Sequence, residues 1–113
     1  MISNRPLVLV TEPIHANGLR ILKNSCSCVT PWKDQSSYLN TIARTLEVAD
    51  AVIVRLFPMR KKNISKAKRL KIIAKNGTGL DNIACNEARI QGIQVIAATG
   101  INANAVAEHT IGL

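Results

Sequence analysis

At 113 residues the chain is one domain at most, and an apolar content of 47% with only 3% aromatics requires a core of Ile, Leu, Val and Ala. No run approaches the roughly 18 apolar residues that cross a bilayer, and Asn4, Arg5 and Pro6 interrupt the start before a signal-peptide core develops, so a cytoplasmic location is expected. Fifteen Lys and Arg against seven Asp and Glu give a formal charge of +8, which favours anionic partners without choosing between small acids and nucleic acid. Cys26, Cys28 and Cys85 leave an odd thiol under any pairing, and Cys-x-Cys is not the usual metal spacing, so no metal site is expected.

Leu7–Val10 reads as a first buried strand, and Thr11-Glu12-Pro13 turns the chain into a helix beginning near Ile14, with Ile14, Leu19, Ile21 and Leu22 as its apolar set. His15 falls in the first turn of that helix, where an exposed or capping imidazole is expected. Cys26–Thr30 forms a short second strand. Ser36 or Ser37 is placed to cap a helix whose Leu39, Ile42, Ala43 and Leu46 recur at i, i+3, i+4 and i+7. Ala51–Val54 is the third strand, with Arg55 at its carboxyl end. In open parallel sheets ligands gather outside the carboxyl ends of strands, so Arg55 is a candidate anion-binding residue. A cap or a surface ion pair is the alternative. Arg60–Leu70 is the main basic run. Its Ile64, Ala67 and Leu70 give one apolar stripe, as on a solvated surface helix, and Phe57 and Trp32 are too isolated to stack bases.

Ile72, Ile73 and Ala74 suit a strand buried on both faces, and the run stops at Asn76-Gly77-Thr78-Gly79. Two glycines around one small residue permit positive φ and leave N–H groups open to an anion. A structural turn is the competing reading of so short a motif. Asp81 and Asn82 offer capping oxygens for a helix over Asn82–Gln91, which Gly92 ends before a second buried strand at Ile93–Ala97. An Ala-rich helical stretch follows Thr99-Gly100-Ile101-Asn102. The five strands, near residues 7–10, 27–30, 51–54, 72–75 and 94–97, alternate with helices. That pattern implies an α/β fold, a parallel sheet with helices on both faces.

The glycine loop running into Leu80-Asp81-Asn82-Ile83, then Gly92-Ile93-Gln94-Val95, then Asn102-Ala103-Asn104-Ala105-Val106-Ala107-Glu108 occur in one order at suitable separations. Together they resemble the D-isomer-specific 2-hydroxyacid dehydrogenases, particularly 3-phosphoglycerate dehydrogenase-like members. Lys75, Asn76 and Leu80 depart from the commoner Arg, Ala and Val of the family loop, and Lys75 lacks the planar fork suited to a phosphoester.

The resemblance implies a flavodoxin-like five-stranded sheet of order 2-1-3-4-5 plus a C-terminal helix cut short. Residues 1–101 would be the N-terminal portion of a substrate domain, and 102–113 the start of an interdomain helix. The NAD-binding Rossmann domain would be absent, since the sequence has no Gly-x-Gly-x-x-Gly. Substrate binding is expected at Arg55, Asn76, Gly77 and Thr78, and cofactor contact at Thr78, Asn102 and Val106. No catalytic residue is expected in the chain, and His109 is given a structural role. The family's cofactor is NAD, which this chain is not expected to bind tightly alone. The expected partner is a small anionic 2-hydroxy or 2-oxo acid. Ala105, Val106, Ile111 and Leu113 are expected to need cover from another copy or a downstream domain. A stand-alone anion-binding or interaction module is the alternative function, and a basic nucleic-acid binder the lesser one.

Overall fold

Apolar segments of four or five residues, too short for helices and rich in β-branched side chains, become strands when both faces are covered. The computed structural model of the chain describes residues 5–98 and 103–111. Its strands are β1 (Leu7–Val10), β2 (Ser27–Val29), β3 (Ala51–Val54), β4 (Ile72–Asn76) and β5 (Gln94–Ala98). All pair in parallel, in the order β2-β1-β3-β4-β5, so the fold is flavodoxin-like as expected. β3 is central. Every residue of β3 is buried, whereas β5, expected to be buried, is largely exposed because it stands at the sheet edge with one neighbouring strand.

The helices are α1 (Ala16–Ser25), α2 (Tyr38–Leu46), α3 (Lys61–Lys66), α4 (Cys85–Ile90) and α5 (Ala103–Ile111). Alternate strand residues face two separate apolar layers, because side chains of a strand point to opposite faces. Leu9, Val52, Val54 and Ile73 join Ile42, Leu46, Ile64 and Ala88 of α2, α3 and α4 on one face. Val8, Val10, Ala51, Ile53, Ile72 and Ala74 join Leu22 of α1 and Ala103, Val106 and Ala107 of α5 on the other. Asp50, 8% exposed, ties the amino ends of the strands: its carboxylate accepts from Leu7 N–H at 2.8 Å, and Lys71 N–H donates to its carbonyl at 2.8 Å.

Several local expectations are corrected. α1 starts at Ala16, two residues past Ile14, and His15 is its cap, with Nδ1 accepting from Asn17 N–H at 3.1 Å. In α2 the buried stripe runs through Ile42 and Leu46 with Tyr38 packed against it, while Leu39 is 68% exposed and Ala43 is exposed. Tyr38 wins the inward register because its hydroxyl donates to Thr11 O at 2.7 Å. Ser37 caps without a side-chain bond, and Asp34 instead caps the preceding 3-10 turn. α4 begins at Cys85, three residues after Asn82, whose side chain is engaged elsewhere.

Of the apolar residues of the terminal helix expected to need cover, Val106 is fully buried within its own chain, where α5 lies against α1 and β4, and Ala105 is half-buried, while the Ile111 side chain lies outside the described residues. Asn102 and Leu113 lie outside the described residues. Glycine substitutions test the backbone assignments. Gly18 sits inside α1, where a Cβ would meet Ile14 Cδ1 at 3.7 Å and Ala103 Cβ at 3.9 Å, both ordinary contacts. Gly92 has φ +83°. We expect Gly18→Ala to raise Tm by about 2–6 °C and Gly92→Ala to lower it by a similar amount in thermal unfolding. A loss of stability in Gly18→Ala would contradict the α1–α5 packing.

Candidate functional site

β3 and β4 are hydrogen-bonded neighbours, with Val54 opposite Lys75 at their carboxyl ends. Arg55 and Asn76 are the next residues on the two strands. The structure thus places the expected substrate-binding positions side by side at the sheet's carboxyl edge. Arg55 and Thr78 are exposed, and Asn76 and Gly77 are half-buried.

The chain leaves β3 without a strand partner for its next amides, and Glu12, just past β1, supplies acceptors. Its Oε1 accepts from the N–H groups of Arg55 at 2.7 Å, Leu56 at 3.0 Å and Phe57 at 3.1 Å, and Oε2 accepts from Leu56 at 2.9 Å. The Thr11 hydroxyl donates to Oε1 at 3.1 Å. Partial burial alone pushes the Glu12 carboxyl up, but the backbone donors of Arg55, Leu56 and Phe57 and the Thr11 hydroxyl outweigh it and hold it below the ordinary value. Burial and the Glu12 charge together push the Tyr38 phenol up.

The carbonyls of the same turn are held by Asn82. Its Nδ2 donates to Phe57 O at 2.9 Å and Arg55 O at 3.2 Å, and its Oδ1 accepts from Lys75 Nζ at 2.5 Å. Asn82 O accepts from Met59 N–H and Met59 O from Ala84 N–H, both at 2.8 Å, so the loops after β3 and β4 are joined by a short parallel bridge between Met59 and Ile83. Asn82 therefore does not cap a helix as expected, because its amide spans two loops and cannot also serve a helix N-terminus.

Gly77 has φ +148°, and a Cβ there would approach Lys75 Cε to 3.2 Å, so this position requires glycine. Gly79 needs no positive φ and has open space around it. The Gly77 N–H donates to Ala98 O at 3.0 Å and is not offered to a ligand, contrary to the reading of an uncovered glycine loop. Among the described residues, the Thr78 and Gly79 N–H groups have no acceptor. A guanidinium such as that of Arg55 and open amides such as those of Thr78 and Gly79 are groups of the kind that hold a carboxylate.

The expected cofactor positions are dispersed. Thr78 is exposed in the loop, the Val106 side chain is fully buried beneath β4, and Asn102 lies outside the described residues. Among the described residues no group of three or more His, Cys, Asp or Glu is placed for a metal ion, and no helix is long and apolar enough to cross a membrane.

Sequence reasoning read Glu12 as a turn residue and Asn82 as a helix cap, and it met Lys75 as a loop residue without its bond to Asn82. Glu12 lies 43 to 45 residues from its partners and Asn82 25 to 27 from the turn it holds, so no local spacing announces them.

An open, all-parallel five-stranded sheet of this order is a flavodoxin-like α/β fold, an architecture in which ligands gather beyond the carboxyl ends of the strands. Residues 8–111 match the model of the D-isomer specific 2-hydroxyacid dehydrogenase catalytic domain, and the chain belongs to that family. It is 33% identical over 108 residues to a D-3-phosphoglycerate dehydrogenase of Methanocaldococcus jannaschii, covering 94% of this chain and 20% of that protein. It is 34% identical over 111 residues to a glyoxylate reductase of Thermofilum pendens, covering 96% of this chain and 33% of that protein. The chain therefore spans about a fifth to a third of the length of these relatives. A solved protein of Pyrococcus horikoshii superposes with TM-score 0.73 at 29% identity, over 96% of this chain and 32% of that one. The NAD+-bound 3-phosphoglycerate dehydrogenase of Entamoeba histolytica, at 22% identity and TM-score 0.64 over 82% of this chain and 32% of that one, shares the fold.

A carboxylate whose folded value is depressed stabilises the fold above its ordinary value, near 4.3 for Glu, and that contribution is lost as pH falls through the lower folded value. Denaturant midpoints measured from pH 6 to pH 2.5 should fall less steeply in Glu12→Gln than in the parent chain. Parallel profiles would remove Glu12 as a stabilising anion.

Proposed function

We propose that the chain is the N-terminal, substrate-binding portion of a NAD-dependent D-2-hydroxyacid dehydrogenase, and that it is inactive alone. On this reading residues 1–101 belong to the substrate domain and 102–113 begin the interdomain helix. The carboxylate of a small 2-hydroxy or 2-oxo acid rests between Arg55 and the Asn76-Gly77-Thr78 loop. The observation that carries this reading is the pairing of Val54 with Lys75, which sets Arg55 beside that loop in a chain of this family.

Each residue has a part that its position permits. Arg55 binds the carboxylate by charge and by its two-pronged geometry. Gly77 shapes the turn that aims the Thr78 and Gly79 amides, and Asn76 completes the strand end. Lys75, 8% exposed and donating to Asn82, is not offered to a second anionic group, which favours a small unphosphorylated acid over a phosphoester. NAD, when bound by a complete enzyme, accepts or gives the hydride. Thr78 and Asn102 would contact it, and buried Val106 would act by seating α5. Three free thiols suit a cytoplasmic setting.

Calorimetric titration of the chain with glyoxylate and with D-3-phosphoglycerate, alongside Arg55→Ala, tests the reading. Removing a charge-assisted contact of about 1.5–3 kcal/mol should weaken glyoxylate binding roughly ten- to a hundredfold. Equal affinity in Arg55→Ala would take Arg55 out of the site. Sustained NADH production from a 2-hydroxy acid by the mass-verified chain would overturn its inactivity.

A further inference from the structure

We propose that the Arg55–Phe57 turn is a carboxylate-binding nest whose resident occupant is Glu12, and that Glu12 is thereby the positioning residue for Arg55. Three consecutive backbone N–H groups converge on one carboxylate at 2.7 to 3.1 Å, with the Thr11 hydroxyl as a fourth donor. Successive amides aimed into one concavity form an anion site that owes nothing to side-chain charge. Here the anion comes from the chain itself, 43 to 45 residues away.

Two consequences follow from the occupancy. The nest's amides are already satisfied, so an incoming acid is excluded from them and is left to the Arg55 side chain and the Thr78 and Gly79 amides. The turn is also held from both sides, its N–H groups by Glu12 and its Arg55 and Phe57 carbonyls by Asn82. Removing the carboxylate leaves three donors converging on empty space, a site of the right size for a free carboxylate. The titratable group that feels the Glu12 charge is Tyr38 of α2, whose hydroxyl donates to Thr11 O. The occupied nest stands on geometry whether or not the chain binds a 2-hydroxy acid, whereas the exclusion of an incoming acid from it rests on the proposed function.

Chemical rescue tests it. At pH 7, Glu12→Ala should melt about 5–15 °C below the parent chain. Sodium acetate at about 0.2 M should recover roughly half of that loss by mass action and return the Arg55, Leu56 and Phe57 amide resonances toward their parent positions. Sodium chloride at equal ionic strength and neutral acetamide should do neither, and the parent chain should show no response specific to acetate. A purely space-filling role for Glu12 would not distinguish acetate from acetamide. Equal effects of acetate, chloride and acetamide would overturn the proposal. If Glu12→Ala does not fold, Glu12→Gln keeps the volume and one acceptor. Its Arg55–Phe57 amides should then exchange with solvent at least about tenfold faster than in the parent chain, with β3 and β4 unchanged. Unchanged loop exchange in that variant would equally overturn the proposal.

Discussion

A strand buried on both faces must leave the sheet through a turn whose backbone groups have no ladder partner, and each one left unpaired costs free energy. At the end of β3 the chain meets that constraint with one carboxylate and one amide. Glu12 accepts the N–H groups of Arg55, Leu56 and Phe57, and Asn82 donates to the carbonyls of Arg55 and Phe57. The first residue of this turn is Arg55, the cation proposed to meet the ligand. Fixing the turn therefore fixes where the charge originates, before any ligand arrives. Preorganisation of this kind lowers the cost of binding a small anion.

The same two residues connect parts of the fold that are distant in sequence. Glu12 follows β1, Arg55 follows β3, and Asn82 lies beyond β4, so three neighbouring strand ends are joined in a row. Lys75 completes the row through Asn82. The arrangement explains why a buried amine occurs at the edge of the sheet: its partner is a neutral amide that itself spans two loops. A chain with few aromatic residues gains rigidity at this edge from polar bonds instead of bulk.

Much of the fold was legible in the sequence because the strands are covered on both faces. Continuous runs such as Ala51–Val54 and Ile72–Ala74 read as buried parallel strands and are so. The helix registers were less legible. Leu39 and Ala43 satisfied the apolar spacing of α2, yet Tyr38 takes the inward position through a hydrogen bond to Thr11 that no periodicity carries. Of the site, Arg55 and the glycine loop were legible as a cation and a turn at strand ends. Glu12 looked like a turn residue and Asn82 like a cap, because their partners are set by the sheet order and not by local spacing. Gly77 was rightly singled out for positive φ, but its N–H is spent on Ala98.

A crystal structure of the chain with glyoxylate is the most direct measurement of the central claim, that a preset Arg55 turn and the loop after β4 hold one carboxylate between them. The account predicts the carboxylate between the Arg55 guanidinium and the Thr78 and Gly79 amides, with Glu12 still bound to the Arg55–Phe57 turn. Glyoxylate seated instead on the basic face of α3, or displacing Glu12 from the turn, would contradict it.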